Sequence, residues 1–245
     1  DVLITGLANS RQMYFDEEGI DLDSWEQLLE NKSESMNTSL FIEKMNELNL
    51  RNSVFIDSTA SEEIAGLYQD VLESSISVVT PNKVACSSSY QNYKQLTNAA
   101  LKYKSKFLFE TNVGAGLPVI STLNDLVKSG DEIHTIQAVL SGTLNFIFNN
   151  YNGSTKFSEV VKEAKAAGFT EPDPRLDLSG VDVMRKILIL ARESGFELEL
   201  DDITNNSFVP EECMEVDSLD DFYQKLDEHE KVFQRLYTPQ VCCHF

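Results

Sequence analysis

The sequence predicts an α/β fold in two domains. Through its first half, short β-type runs alternate with longer helical patterns, which is typical of βα units built around a parallel sheet. A Gly-rich turn at 113–118 separates that half from a stretch dominated by helical patterns. We therefore place a domain boundary between residues 112 and 113, with a second domain of mixed α and β elements extending to residue 237.

Four strands are expected in the first domain, each marked by an apolar run. They cover residues 2–5, 54–56, 76–79 and 106–109. Helical spacing of apolar side chains predicts helices within 25–48, 64–71 and 90–103. The third strand ends before Pro81, because proline cannot donate a ladder hydrogen bond. Since strand 2–5 opens the chain directly, we expect the sequence to begin inside a domain.

In the second domain, the Gly-rich turn leads into a helix that ends near Gly130. Residues 133–140 alternate apolar and polar side chains, which predicts a half-exposed antiparallel strand. Further helices are expected at 157–167, 181–194 and 219–236. The tail 238–245 has neither the helical nor the strand period, so we expect a disordered end.

Charge and composition argue against several classes of partner. A formal net charge of −20 over 245 residues repels phosphate backbones and anionic lipid surfaces, so we expect no nucleic-acid or membrane partner. No apolar run approaches the roughly 20 residues of a membrane-spanning helix, and the N-terminus lacks a secretory pattern. We therefore expect a cytoplasmic protein. The four cysteines form no C-x-x-C pair, which argues against a zinc or redox motif.

An acidic turn at 168–177 carries three carboxylates on a loop stiffened by two prolines. The helix that follows carries Asp182 and Lys186, which are four residues apart and project from one face. Spacing alone favours a surface ion pair worth roughly 0.2–0.5 kcal/mol. The combination of rigid acids and a nearby amine instead suits a site that binds an amino-acid ammonium and donates a proton.

Polar groups also follow the predicted strands, at the edge where open α/β sheets bind ligands. Lys83 suits a carboxylate or a reacting oxygen, with an ordinary solvent lysine as the alternative. Thr59 suits a nucleotide contact, although helix capping explains the hydroxyls of this segment as well. Ser10 and Arg11 follow the first strand, where hydroxyl and guanidinium groups suit the 2′-phosphate of NADP better than the 2′-hydroxyl of NAD.

The run from Glu110 to Leu117 contains two glycines, at 114 and 116. Glycines let backbone carbonyls turn toward a common centre, which is the geometry that a monovalent cation needs. A plain tight turn is the commoner explanation, so both interpretations stay open here.

Five motifs, taken together and in this order, resemble those of homoserine dehydrogenases. They are GLANS at 6–10, VTPNK at 79–83, ETNVGAGLPVI at 110–120, VLSGTLNFIFN at 139–149 and GFTEPDPRLDLSGVDVMRKILILARESG at 168–195. The opening GLANSRQMYFDEEGIDLDSW is most similar to the dehydrogenase half of bifunctional aspartokinase–homoserine dehydrogenases. The agreement extends to residue 236 or so and includes no counterpart of the kinase half.

The resemblance implies a fold and a reaction. The fold is a partial Rossmann-type NAD(P)-binding domain over 1–112, without its first strand and Gly-rich loop, followed by an α+β substrate and dimerisation domain over 113–237. The reaction is the reversible NAD(P)H-dependent reduction of L-aspartate 4-semialdehyde to L-homoserine, on the route to threonine and methionine. Members of the family act as dimers or tetramers, so a homo-oligomer is expected.

The resemblance also implies roles for individual residues. Lys186 matches the catalytic general acid, and Lys83 matches a second lysine at the substrate and the nicotinamide. The matches to substrate-binding residues are Glu171, Asp177, Asp182, Gly142 and Thr143. Thr59 and Lys83 join Ser10 and Arg11 as expected contacts of NADP or NAD. A sodium site is implied at Glu110, Val113, Ala115 and Leu117.

Two residues depart from the family's pattern. Leu176 stands where the family has an acid, and Phe169 stands where it has a tyrosine. The G-x-G-x-x-G-type phosphate loop would lie before Asp1, so the main pyrophosphate cradle is expected to be missing. The alternative prediction is therefore an inactive or cofactor-deficient fragment of the enzyme that acts only as a dimerising domain.

Overall fold

The computed structural model describes residues 2–236, and these residues form two compact units. The first, which we call the sheet unit, consists of the chain up to Ala85 together with Lys94–Phe109. The second, the helical unit, consists of Cys86–Tyr93 and the chain from Glu110 onward. The sequence predicted two contiguous domains that meet between residues 112 and 113. The units observed here are interleaved along the chain, so they do not test that division, which stays a prediction.

The sheet unit contains two small sheets. An antiparallel sheet joins β1 (Gly6–Ala8), β2 (Gln12–Phe15) and β3 (Glu34–Ser35). A parallel sheet joins β4 (Val54–Ile56), β5 (Ser77–Val79) and β6 (Phe107–Leu108), in the order β4-β5-β6. In the parallel sheet Phe55 lies beside Val78, and Val78 lies beside Phe107. Three of the four predicted strands thus form a parallel sheet, as the alternating pattern indicated.

Helices connect these strands. They are α1 (Trp25–Asn31), α2 (Thr38–Leu48), α3 (Glu62–Gly66), α4 (Tyr68–Glu73), α5 (Val84–Ser87) and α6 (Tyr90–Tyr103). The core of the sheet unit forms where α4 packs on β5, because Val71 and Leu72 are fully buried there. The Tyr68 ring meets Phe55 and Phe107 edge-on, which brings aromatic side chains from β4 and β6 into the same cluster.

The helical unit has no strand among the residues that the structure describes. Its longer elements are α7 (Ile120–Lys128), α8 (Gly142–Asn150), α9 (Phe157–Ala166), α10 (Pro174–Leu178), α11 (Val181–Glu193), α12 (Glu211–Met214), α13 (Leu219–Glu228) and α14 (Glu230–Leu236). Short 3₁₀ turns occupy Glu110–Asn112 and Leu200–Asp202. The core is aromatic, with Phe157 and Phe233 stacked 4.1 Å apart. The fold is therefore a Rossmann-like α/β domain plus a helical domain.

Two predicted strands are corrected by the structure. Residues 2–5 form no strand: the carbonyls of Ile4 and Thr5 accept hydrogen bonds from the loop at 16–20 instead, and the first strand is the antiparallel β1. Residues 133–140 are also without regular structure, and neither sheet of the described residues includes them. The predicted helix at 219–236 is interrupted at His229, and the helical pattern within 25–48 divides into α1 and α2.

Three smaller outcomes concern cysteines, membranes and the tail. Cys86 and Cys213 are buried free thiols, whereas Cys242 and Cys243 lie outside the described residues. Within the described range, no helix has the length and apolar character needed to cross a membrane. The predicted disordered tail at 238–245 also lies outside the described residues.

Candidate active site

The acidic turn of the helical unit lies between two glycines in the left-handed region of backbone space. Gly168, with φ of 76°, follows α9, and Gly180, with φ of 77°, separates α10 from α11. Asp173 caps α10 by accepting the Arg175 amide at 3.0 Å, and Pro174 occupies the first helical position. α10 packs against both α8 and α11, so it brings the acidic turn beside the helix that carries Lys186.

Lys186 projects from α11 toward Leu140, which precedes Ser141, the N-cap residue of α8. Its ammonium donates to the Leu140 carbonyl oxygen at 2.7 Å and pairs with the Asp182 carboxylate at 2.7 Å. The Lys186 side chain is 17% exposed while that of Asp182 is 50% exposed, so the amine is held inside an accessible edge. An ammonium carries three N–H donors, and these two contacts leave one for an incoming oxygen.

Thr143 and Asp177 meet at the start of α8, although 34 residues separate them. The buried Thr143 hydroxyl lies 2.9 Å from Asp177 Oδ1 and 2.5 Å from the carbonyl oxygen of Phe169. Asp177 Oδ2 accepts the backbone N–H of Glu171 at 2.9 Å. Gly142 is the first residue of the same helix. These contacts fix one carboxylate between α8 and the acidic turn.

The helical unit therefore gathers most of the predicted substrate residues. The carboxylates of Glu171, Asp177 and Asp182 outnumber the Lys186 ammonium on these elements, and this surplus of negative charge suits a ligand that carries an amino group. A half-buried amine beside them suits a ligand oxygen that gains negative charge, because a fixed cation stabilises such an oxygen. The Asp182–Lys186 and Thr143–Asp177 pairs therefore lie on helices that pack together, α8, α10 and α11. A simple surface ion pair would not require this grouping.

In the sheet unit, a buried polar network lies at the carboxyl ends of β4 and β5. The Tyr68 hydroxyl contacts Asp57 and lies 2.9 Å from the Thr80 hydroxyl, and Asn82 Nδ2 donates to Asp57 Oδ2 at 3.0 Å. All four residues are at most 3% exposed. Burial alone would raise the pKa of Asp57, but hydrogen bonds from Tyr68, Thr59 and Asn82 outweigh it and place this pKa below its ordinary value.

The predicted cofactor residues border this network or lie on exposed turns. Lys83 directly follows Asn82, whose amide oxygen accepts the Val84 N–H at 3.0 Å and so shapes the turn. Thr59 is exposed; its N–H donates to Asp57, while Ser61 caps α3. Ser10 and Arg11 are exposed on the β1–β2 turn. Helix capping is thus observed for Ser61, and the nucleotide contacts stay predictions.

The carboxylate of Glu110, just before the Gly-rich turn, caps a helix. Glu110 accepts the backbone N–H groups of Ile120 and Ser121, each at 2.8 Å, and so caps α7. The Leu117 carbonyl accepts the Val119 N–H at 2.9 Å. Gly114 and Ala115 are both left-handed, with φ of 81° and 51°. A cation here would be held by backbone carbonyls, and within the described residues no group of three His, Cys, Asp or Glu side chains forms a metal site.

Two family models match this chain, one over each half. The family model for the NAD-binding domain of homoserine dehydrogenase matches residues 2–110, and the model for homoserine dehydrogenase itself matches residues 118–240. The chain belongs to the homoserine dehydrogenase family. The resemblance predicted from the five motifs is therefore confirmed.

Curated relatives of this family member include bifunctional enzymes. The chloroplastic bifunctional aspartokinase/homoserine dehydrogenase 1 of Zea mays is 44% identical over 236 residues, which cover 96% of this chain and 26% of that protein. The bifunctional enzyme of Haemophilus influenzae is 42% identical over 234 residues, covering 96% of this chain and 29% of that protein. The chain thus spans less than a third of the length of these relatives.

Solved structures of similar proteins support the fold. A Candida auris protein described as of unknown function aligns with a TM-score of 0.84 at 32% identity, covering 95% of this chain and 67% of that one. A hyperthermophilic archaeal homoserine dehydrogenase in complex with NADPH aligns with a TM-score of 0.63 at 25% identity, covering 77% of this chain and 59% of that one.

The sequence alone does not reveal the roles of two residues in this homoserine dehydrogenase family member. The spacing of Tyr68 places it on an apolar helix face, yet its hydroxyl belongs to the buried network with Asp57. A tyrosine near the start of a helix, shortly after a strand that ends in aspartate, is the available signal. Arg175 lies within the acidic turn, and nothing in the spacing indicates its contact with Val216, 41 residues away.

Proposed function

We propose that this chain is the dehydrogenase part of a homoserine dehydrogenase, which reduces L-aspartate 4-semialdehyde reversibly to L-homoserine with NAD(P)H. The observation that carries the proposal is the half-buried Lys186 ammonium, held by Leu140 and Asp182 beside the Thr143–Asp177 pair. Carboxylates would recognise the ammonium group of the substrate, and the Lys186 ammonium would protonate the substrate's carbonyl oxygen. Family membership supports both roles.

The substrate residues have distinct tasks in this mechanism. Glu171, Asp177 and Asp182 would bind the substrate's ammonium, while Gly142 and Thr143 define the start of α8 that borders it. Lys186 would donate its proton to the carbonyl oxygen as negative charge develops there, which contributes on the order of 10²–10⁴-fold to the rate. Asp182 orients the Lys186 amine, because the two side chains form an ion pair at 2.7 Å.

NADP or NAD is the proposed cofactor of the sheet unit. When bound, the nicotinamide supplies or accepts the hydride. Ser10, Arg11, Thr59 and Lys83 are the proposed contacts, and the NADPH complex of the archaeal relative supports a nucleotide of this class. The buried network around Asp57 fits the proposal, because it holds the turn that presents Lys83 at the strand ends where such sheets bind ligands.

The remaining assignments follow from the family resemblance. We propose a sodium ion held by Glu110, Val113, Ala115 and Leu117, a homo-oligomer, and a place in threonine and methionine biosynthesis. The contiguous domains 1–112 and 113–237 and a cytoplasmic location are proposed from the sequence.

The test is NADPH oxidation with aspartate semialdehyde by the protein and by its Lys186→Ala form. We expect the substitution to lower kcat on the order of 10²–10⁴-fold, because the proton donor is lost. Lys128→Ala, an exposed lysine at the end of α7, is the matched control and should leave the rate unchanged. Equal rates for the wild type and Lys186→Ala would contradict the proposal.

Calorimetry with NADPH addresses the alternative, a fragment that dimerises without binding cofactor. Micromolar binding would count against that alternative, and no described contact favours it. Absence of both NADPH binding and NADPH oxidation would contradict the enzyme and support the fragment.

A further inference from the structure

Arg175 lies in the acidic turn, and its side chain contacts Asp173 and the Val216 carbonyl rather than a predicted substrate acid. Its Nη2 pairs with Asp173 Oδ2 at 2.6 Å, and its Nε lies 3.0 Å from each oxygen of the same carboxylate. Its Nη1 donates to the Val216 carbonyl oxygen at 2.5 Å. The guanidinium, 20% exposed, thus ties the start of α10 to the chain beyond α12.

Asp177 depends on how α10 is held. A helix of five residues is too short to be stable by itself, so its position comes from what its side chains contact. Pro174 and Leu178 are buried, and the Arg175 side chain adds its contact with the Val216 carbonyl. Asp177 extends from this same short helix to Thr143 and to the Glu171 amide.

We propose that Arg175 is a positioning residue that fixes Asp177 for the substrate's ammonium by tying α10, through Asp173, to the Val216 carbonyl. The proposal rests on the proposed function, in which Asp177 binds that ammonium. A planar guanidinium can contact a carboxylate and a carbonyl at once in fixed directions, whereas a lysine ammonium offers one centre on a flexible stem. Arginine therefore suits the tether better than lysine does.

A second explanation is that Arg175 acts only by neutralising Asp173, which would otherwise compete for the ammonium of the substrate or of Lys186. The two explanations differ in a double variant. Arg175→Met leaves Asp173 unpaired, while Asp173→Asn with Arg175→Met removes both charges. If the tether matters, both variants behave alike; if charge balance matters, the double variant recovers wild-type binding.

The first measurement is hydrogen exchange at the Glu171 amide, which reports the Asp177 contact without any ligand. We expect Arg175→Met and the double variant to exchange at least about tenfold faster there, the order expected for losing one charge-assisted hydrogen bond. Arg175→Lys should give an intermediate rate. Arg51→Met, which removes an exposed arginine of the sheet unit, is the matched control and should exchange like the wild type.

The second measurement is binding of L-homoserine by calorimetry, with kcat and KM from the NADPH assay. We expect Kd and KM to rise about tenfold while kcat changes less than about twofold, since Lys186 is held by Leu140 and Asp182 and not by α10. Unchanged exchange at Glu171, a fall in kcat without a change in KM, or recovery in the double variant would each overturn the proposal. Failure of the wild type to bind homoserine would instead contradict the proposed function, and exchange at Glu171 would still decide whether Arg175 holds Asp177.

Discussion

Asp57 is a carboxylate almost without exposure to water, and it keeps its charge because its neighbours donate to it. Tyr68, Asn82 and the Thr59 amide all direct hydrogens at its two oxygens. A buried carboxylate without such partners would be costly, whereas a fully satisfied network is rigid. At the scale of one residue, this network is the reason that the turn before Lys83 has a defined shape.

Replacing Asp57 by asparagine should lower the free energy of unfolding at neutral pH by about 2–3 kcal/mol, because an acceptor in a buried network becomes partly a donor. The folded-state pKa of Asp57 lies below its ordinary value of 3.8, so its stabilising contribution is present above that pH. The contribution is lost as the pH falls below 3.8 through the folded-state pKa. Urea unfolding at several pH values should therefore show the difference between wild type and Asp57→Asn narrowing on acidification.

Asp70 provides the matched control for that experiment, since it is an exposed aspartate on α4 of the same unit. Asp70→Asn should change the free energy of unfolding at neutral pH by less than about 0.5 kcal/mol, as is usual for an exposed site. A constant difference between wild type and Asp57→Asn across the whole pH range would contradict the role of the ionised carboxylate.

At the scale of elements, the junction between α10 and α11 joins the helix of Asp177 to the helix of Lys186. Gly180 forms that junction in a left-handed conformation, and a Cβ there would lie 3.1 Å from Asn205 Oδ1. Both the left-handed backbone conformation and the limited space beside Asn205 therefore favour glycine at this position.

Gly180→Ala should lower the free energy of unfolding by about 1–2 kcal/mol, because a left-handed conformation is strained for an L-residue with a side chain. Gly66→Ala is the comparison: Gly66 ends α3, and a methyl group added there would meet nothing within 4 Å, so it should be neutral or stabilise by up to about 1 kcal/mol. Urea unfolding of both variants checks this pair, and equal effects at the two glycines would contradict it.

Some elements can be predicted from the local pattern of apolar and polar residues alone. The apolar runs of β4, β5 and β6 and the helical spacing of α9 and α11 are predictable from sequence, as is the Asp182–Lys186 pair. The strands predicted at 2–5 and 133–140 are wrong, because a strand exists only where another segment pairs with it, and apolar alternation cannot reveal that. The Thr143–Asp177 contact spans 34 residues and likewise needs the tertiary structure.

At the scale of the whole molecule, Arg192 is a buried cation in the helical unit, only 4% exposed. Its guanidinium donates to the carbonyls of Cys86 and Leu198 and to Glu199, and it lies over the rings of Tyr90 and Tyr93. It thus joins α11 to the separate stretch Cys86–Tyr93 within this unit.

Arg192→Met should destabilise the helical unit by about 2–4 kcal/mol, because two carbonyls lose a charged donor while the hydrophobic volume is roughly kept. Amide hydrogen exchange should become faster in the helical unit, including residues 86–93. Arg51→Met, on the surface of the sheet unit, serves again as the control. Unaltered stability after Arg192→Met would show that the stretch is held by other contacts.

The interleaving of the two units bears on how such a protein can be recombined. Because Cys86–Tyr93 groups with the helical unit while Lys94–Phe109 returns to the sheet unit, no single crossover in the gene exchanges one unit without also exchanging part of the other. A chimera with a relative would keep each unit's own contacts only if the joins fell at all three passages, after Ala85, Tyr93 and Phe109. A chimera joined at residue 112 alone would place one parent's Tyr90 and Tyr93 against the other parent's Arg192.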